Sequence, residues 1–102
     1  MESSKLVLEA IALQKCIEAT YNRTAIKLAP YILYTKHGEL FVDAVTVERE
    51  GRPPKETKLG TFKLAGLTIR EIISRSFKPE PLFDSADPKY AGATLFAVEA
   101  TA

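Results

Sequence analysis

A mainly β domain with one N-terminal α-helix is the fold class this sequence predicts, and three observations predict it. Near the N-terminus, Leu6, Ala10, Leu13 and Ile17 fall at i, i+4, i+7 and i+11, with Val7 and Ile11 alongside. That is the apolar stripe of an amphipathic helix. From Ile26 to Val47, two apolar runs rich in Ile, Val, Tyr, Phe and Thr flank Thr35-Lys36-His37-Gly38, the pattern of a β-hairpin. A charged loop, Glu48–Glu56, with Gly51 and Pro53-Pro54, then separates the hairpin from another β-type run, Lys58–Leu64.

The totals bound the rest. The chain has 102 residues, the length of one domain. Its hydrophobic fraction of 46 % is too high for a disordered chain. A domain this size buries only roughly 60–65 % of its unfolded surface, so association with a second copy or another domain would stabilise it. Fourteen Lys and Arg against thirteen Asp and Glu give a net charge of +1. A dedicated nucleic-acid binder carries a basic surplus, so any such binding here needs a local patch. The single cysteine, Cys16, excludes an intrachain disulfide framework and fits a reducing compartment. No apolar run reaches the ~18 residues of a membrane span, and the N-terminus lacks the order of a signal peptide. The sequence reads as a cytoplasmic protein with no membrane partner.

Taken in order, Ser3 or Ser4 can cap the helix, which the periodicity carries over about residues 4–20. Lys5 with Glu9 and Lys15 with Glu18 have the spacing of outer-face ion pairs. Tyr21–Thr24 is a connector. In the first strand Ile26, Leu28, Ile32 and Tyr34 share one parity, and Pro30 in its middle cannot donate to a ladder. A bent strand follows, of the kind found where small sheets curl into barrels. Leu40, Val42 and Ala44 alternate with Phe41, Asp43 and Val45, so both faces are largely apolar and the strand is central. Ala65-Gly66 breaks the third strand. Leu67–Phe77 carries two signals. Thr68-Ile69-Arg70-Glu71 fits a capping box with helical spacing behind it, while the run is β-branched and short. Lys78–Asp87, with Pro79 and Pro81, is an irregular traverse, and Asp84–Asp87 before Pro88 can open one helical turn. Thr94–Val98 is a final apolar run, strand or short helix.

Several of these positions together resemble the WYL domain family. Ala19-Thr20-Tyr21 follows the helix, and Pro30 with Leu33 lies in the first strand. Leu40-Phe41-Val42 stands after Gly38 where the family has its tripeptide, with Ala44 two residues on, and Phe62-Lys63-Leu64 follows the charged loop. The match covers roughly residues 6–77. The resemblance implies an Sm-like five-stranded small β-barrel over about residues 25–77, a strand at Leu67–Phe77, and a C-terminal extension over 78–102. It also implies a regulatory, ligand-sensing module of bacterial transcription regulation. No tripeptide position is identical, and the family's polar ligand-site positions fall on Ile26, Ala65 and Gly66.

His37 is the only histidine and sits in the hairpin turn, so no set of metal ligands converges on it. Cys16 reads as a small buried apolar residue. Glu48, Glu50 and Glu56 stand among Arg49, Arg52, Lys55 and Lys58, the opposite of the dry site that keeps a catalytic acid neutral. Asp43 within an apolar strand lies on an open face or beside a basic partner. The glycines are isolated, so no phosphate loop appears. What remains is an interleaved basic and aromatic set, Tyr21, Arg23, Lys27, Tyr31, Lys63 and Arg70. On one side of a small barrel it would meet phosphates and stack on bases. The expectation is a non-catalytic module with no cofactor or metal that binds a nucleotide-type ligand or single-stranded nucleic acid. The alternative is a protein-interaction module, pairing with a regulator or as a homodimer.

Overall fold

A computed structural model of the chain describes residues 2–78, 83 and 87–98. The order is α1 (Glu2–Leu13), β1 (Lys15–Tyr21), β2 (Thr24–Lys36), β3 (Glu39–Arg49), β4 (Leu59–Lys63), a 3-10 turn (Leu64–Gly66), β5 (Leu67–Ser76), a second 3-10 turn (Pro88–Tyr90) and β6 (Thr94–Ala97). All the pairings are antiparallel, in the spatial order β4-β3-β2-β1-β5, with β6 added alongside β2. The fold is therefore mainly β with one N-terminal helix, as the sequence predicts. Leu67–Ser76 is a strand, not a helix. The barrel does not close, because β4 and β5, at the two ends of the path, are not paired to each other among the described residues. The sheet has six strands rather than five, and the expected traverse over 78–87 lies mostly outside the described residues.

The helix is shorter than its stripe predicts. It stops at Leu13, and Gln14 takes a left-handed φ of 55° while donating its N–H to Ile11 O. The next seven residues form β1, joined to β2 by Asn22-Arg23, both at positive φ. Asn tolerates that region, and two consecutive positive-φ residues match the right-handed twist of a hairpin. Ile17, Thr20 and Tyr21 are better strand than helix formers, and Ile17 and Ala19 bury fully. The Lys15–Glu18 pairing expected along a helix is replaced by contacts across the sheet. Lys15 Nζ donates to Ser74 O and Ser76 Oγ, and Glu18 faces Arg70 Nε at 3.9 Å.

The hairpin predicted over 26–47 is β2 and β3. His37 and Gly38 turn it at φ 53° and 78°. Pro30 bends β2 as expected, and the register against β3 slips between Pro30 and Ile32. The bend divides one edge of β2 between two partners: β1 pairs with Thr24–Leu28, and β6 with Ile32, Leu33 and Tyr34. It also turns Tyr31 into the interior, where Tyr31 O accepts from Val98 N–H.

Two apolar clusters result, which is why β2 and β3 are apolar on both faces. The larger lies inside the curled sheet under α1, with Val7, Ile11, Ile17, Leu28, Leu33 and Val42 at its centre. The smaller lies on the other face of the far half of the hairpin. There the C-terminal segment covers Ile32 and Tyr34 with Tyr90, flanked by Phe41, Phe83, Ala93 and Ala97.

Candidate functional site

The six residues expected to form one basic and aromatic surface do not assemble as one. Tyr31 is 1 % exposed, its ring stacked on Phe77 and its hydroxyl donating to Lys78 O at 3.4 Å, so it offers no face to a base. Tyr21 is half-buried, edge-on to Phe62 at 5.1 Å between ring centroids. Arg23 is exposed in the β1–β2 turn. Lys27 on β2 pairs with Glu48 at 3.1 Å, Lys63 on β4 with Glu39 at 2.9 Å, and Arg70 on β5 with Glu18 at 3.9 Å. These pairings follow from the sheet. Lys27 is directly opposite Glu48 in the β2–β3 register, and Arg70 is the extra residue of a bulge beside Glu18.

Asp43 does not lie on an open face: it is 0 % exposed, against the smaller cluster. Tyr34 Oη donates to one carboxylate oxygen at 2.7 Å and Tyr90 Oη to the other. In the ladder Asp43 stands opposite Ile32, so Tyr34, two residues further on the same face, is its diagonal neighbour. Burial first, and then the bond to Asp43, pushes the Tyr34 phenol up to about 12, and the same causes raise Tyr90 further. Phenols held this firmly protonated act as donors to a structural carboxylate. His37 is an exposed turn residue and Cys16 is fully buried, as expected. Of the loop expected over Glu48–Glu56, residues 50–56 are exposed, but Glu48 and Arg49 belong to β3, where Glu48 is half-buried. Burial pushes the Cys16 thiol up, with the charge of Arg75 pulling partly back. Among the described residues no three His, Cys, Asp or Glu side chains are grouped to hold a metal ion. Among the same residues no helix is long and apolar enough to cross a membrane.

Among the clefts of the described residues, two bear on a ligand site. One, of about 410 Å³, is lined by Ser3, Gly38, Glu39, Leu40, Lys63, Leu64, Ala65 and Leu67. It holds Lys63 and Ala65 from the positions that the family resemblance singles out, but Glu39 already pairs with Lys63 inside it. At Gly66, beside it, a Cβ would stand 3.1 Å from the Tyr21 ring, so a side chain there requires that ring to shift by a few tenths of an ångström. The other cleft, of about 350 Å³, opens between the last residues of β5 and the β3–β4 loop. Ala29, Tyr31, Val45, Val47 and Phe77 form its apolar floor, Pro53 and Pro54 its rim, and Thr46, Thr57, Arg75, Ser76 and Lys78 its polar groups.

Of the expected residues only Tyr31 belongs to that second cleft. Arg75, Phe77 and Lys78 were missed. Their signal was present as the alternation Ser74-Arg75-Ser76-Phe77-Lys78, at the end of the segment whose helix and strand signals conflict. Comparison with protein-family models, curated proteins and solved structures finds no significant match.

Proposed function

We propose that the chain is a non-catalytic, ligand-sensing regulatory module of WYL-like type, and that it takes a small ligand in the cleft between β5 and the β3–β4 loop. The observation that carries this reading is the cleft itself. Its volume is in the range of small-molecule sites, with an apolar floor and a few polar groups converging on it. The non-catalytic reading is supported by where the reactive groups lie. Asp43 is closed off by two tyrosines, Cys16 is buried, and His37 stands alone in a turn. The resemblance in Leu40-Phe41-Val42 and Phe62-Lys63-Leu64 supports the regulatory class. A small ligand is favoured over a nucleic-acid strand because Lys27, Lys63 and Arg70 are each engaged by an acid. Thermal-shift measurements with nucleoside monophosphates, beside fluorescence anisotropy with labelled single-stranded DNA and RNA at two salt concentrations, test it. A small molecule that raises Tm, with no saturable oligonucleotide binding, is the expected result. Saturable oligonucleotide binding that weakens steeply with salt would replace the small-ligand reading with a strand-binding one.

A second reading, as an interaction or homodimerisation module, is favoured by apolar side chains left in solvent. Leu13 is 56 % exposed, and Leu8 and Phe96 are also open. Sedimentation at high concentration decides it: a strict monomer removes the homodimer.

A further inference from the structure

We infer that the cleft beside β5 is an anion site whose ligand is a small amphiphilic anion. Its apolar body would lie on Val45, Val47 and Phe77, and its carboxylate or phosphate group on Arg75 and Lys78. This inference rests on the ligand-sensing reading and names the class of ligand.

The argument is one of charge and geometry. The cleft lining contains two cations and no acid. Among the described residues four ion pairs engage basic side chains elsewhere on the sheet and its charged loop, and none of them reaches Arg75 or Lys78. A third cation stands next to the same wall. Lys15 Nζ donates to Ser76 Oγ, and Ser76 lines the cleft. Three positive groups thus gather at one end of β5, without an acid in pairing distance among the described residues, in a chain of net charge +1. Like charges so gathered repel one another, and an anion relieves that repulsion. An arginine fork adds paired hydrogen bonds to a carboxylate or phosphate.

The floor sets the other half of the ligand. Phe77 is fixed by stacking on Tyr31 at 5.4 Å, the rings nearly parallel, and Tyr31 is itself held by Phe83 and by its bond to Lys78 O. The carbonyl that receives the Tyr31 hydroxyl belongs to Lys78, so one of the two cations is anchored through the aromatic floor. A purely inorganic anion would leave that apolar floor wet, and a neutral apolar molecule would leave the cations unused.

The test uses a matched pair of fluorescent probes. 8-Anilinonaphthalene-1-sulfonate has an aromatic body and one anionic group. N-phenyl-1-naphthylamine has the same body without the charge. The sulfonate is expected to bind at least about tenfold more tightly, with an affinity that falls as salt rises. Arg75→Gln with Lys78→Gln should remove that advantage and leave the neutral probe unchanged. Lys63→Gln, in the other cleft, should change neither. Both cations are exposed, and an unchanged Tm of the double variant would show that the fold is intact. Displacement of the sulfonate by hexanoate or by hexyl phosphate then tells a carboxylate ligand from a phosphate one. Equal affinity for the two probes, insensitive to salt and to the double substitution, would overturn the anion assignment while leaving a ligand cleft in place. Binding of neither probe would overturn the ligand-sensing reading along with it.

Discussion

Asp43 shows at the scale of one residue how this chain handles a polar group inside an apolar strand. A buried carboxyl is tolerable only if its oxygens are satisfied, and here each oxygen receives a tyrosine hydroxyl. The sequence displays Asp43 and Tyr34 close together but gives no hint of Tyr90, 47 positions downstream. Local pattern reaches a diagonal neighbour in a hairpin and not a long-range partner, so Tyr90 was not among the expected neighbours of Asp43. The arrangement has a consequence for pH. Tyr34 has its folded-state value raised to about 12 from an ordinary 10, so the folded state holds its proton more strongly than the unfolded state does. Its contribution to stability is complete below about pH 10 and is lost as the pH climbs toward 12. An ultraviolet titration should therefore show Tyr34 and Tyr90 ionising late and together with unfolding. In Asp43→Asn, which loses the carboxylate charge, they should ionise earlier. Ionisation of Tyr34 and Tyr90 near pH 10 in a folded protein would contradict this.

At the scale of elements, the legible parts were those with strong local signals. The β2–β3 hairpin, the bend at Pro30 and β4 lie where the sequence puts them, and the charged loop begins at Glu50 rather than at Glu48, because β3 runs on to Arg49. The helix end was not legible, because the apolar stripe runs on through Ile17 and no glycine or proline stops it. Only the left-handed Gln14 does, and a glutamine carries no such signal. β5 was decided by tertiary context: Ile69 and Ile72 are needed opposite Ala19 and Ile17, and that need overrides the capping-box pattern. The C-terminal segment is the element whose role the sequence least discloses. It adds β6 to the edge that β1 leaves free and closes the smaller cluster with Tyr90. Removing the Tyr90 hydroxyl leaves a buried carboxylate oxygen without its donor, at roughly 1–3 kcal/mol. Tyr90→Phe should therefore lower the hydrogen-exchange protection of Leu33 and Tyr34, where β2 meets β6, while β1 and β5 keep theirs. Equal loss throughout the sheet would show that the segment is not a separate unit.

At the scale of the whole molecule, the curled sheet is open between its two outer strands, and a cleft lies at one end of that opening, under the charged loop. The expected basic and aromatic surface dispersed because residues that alternate in sequence are carried to different strands and to both sides of the sheet. Tyr31 went inside at the Pro30 bend, and three of the cations met acids that the register set beside them. The cleft residues were illegible for the converse reason. Val45 and Val47, Pro53 and Pro54, and Arg75 to Lys78 lie far apart in the chain and meet only when the sheet curls. The aromatic contacts Phe77–Tyr31–Phe83–Tyr90 run from that cleft to the C-terminal segment, so the floor of the cleft and the second cluster form one packed series.

We propose that a ligand binds in this cleft, and amide chemical-shift mapping reads that out residue by residue. A ¹H–¹⁵N correlation spectrum titrated with 8-anilinonaphthalene-1-sulfonate should move the amides of Ala29, Tyr31, Val45 to Val47 and Arg75 to Lys78, and leave those around Lys63 and Ala65 in place. Shifts confined to the Lys63–Leu67 cleft, or spread over the exposed face of α1 around Leu8 and Leu13, would contradict it.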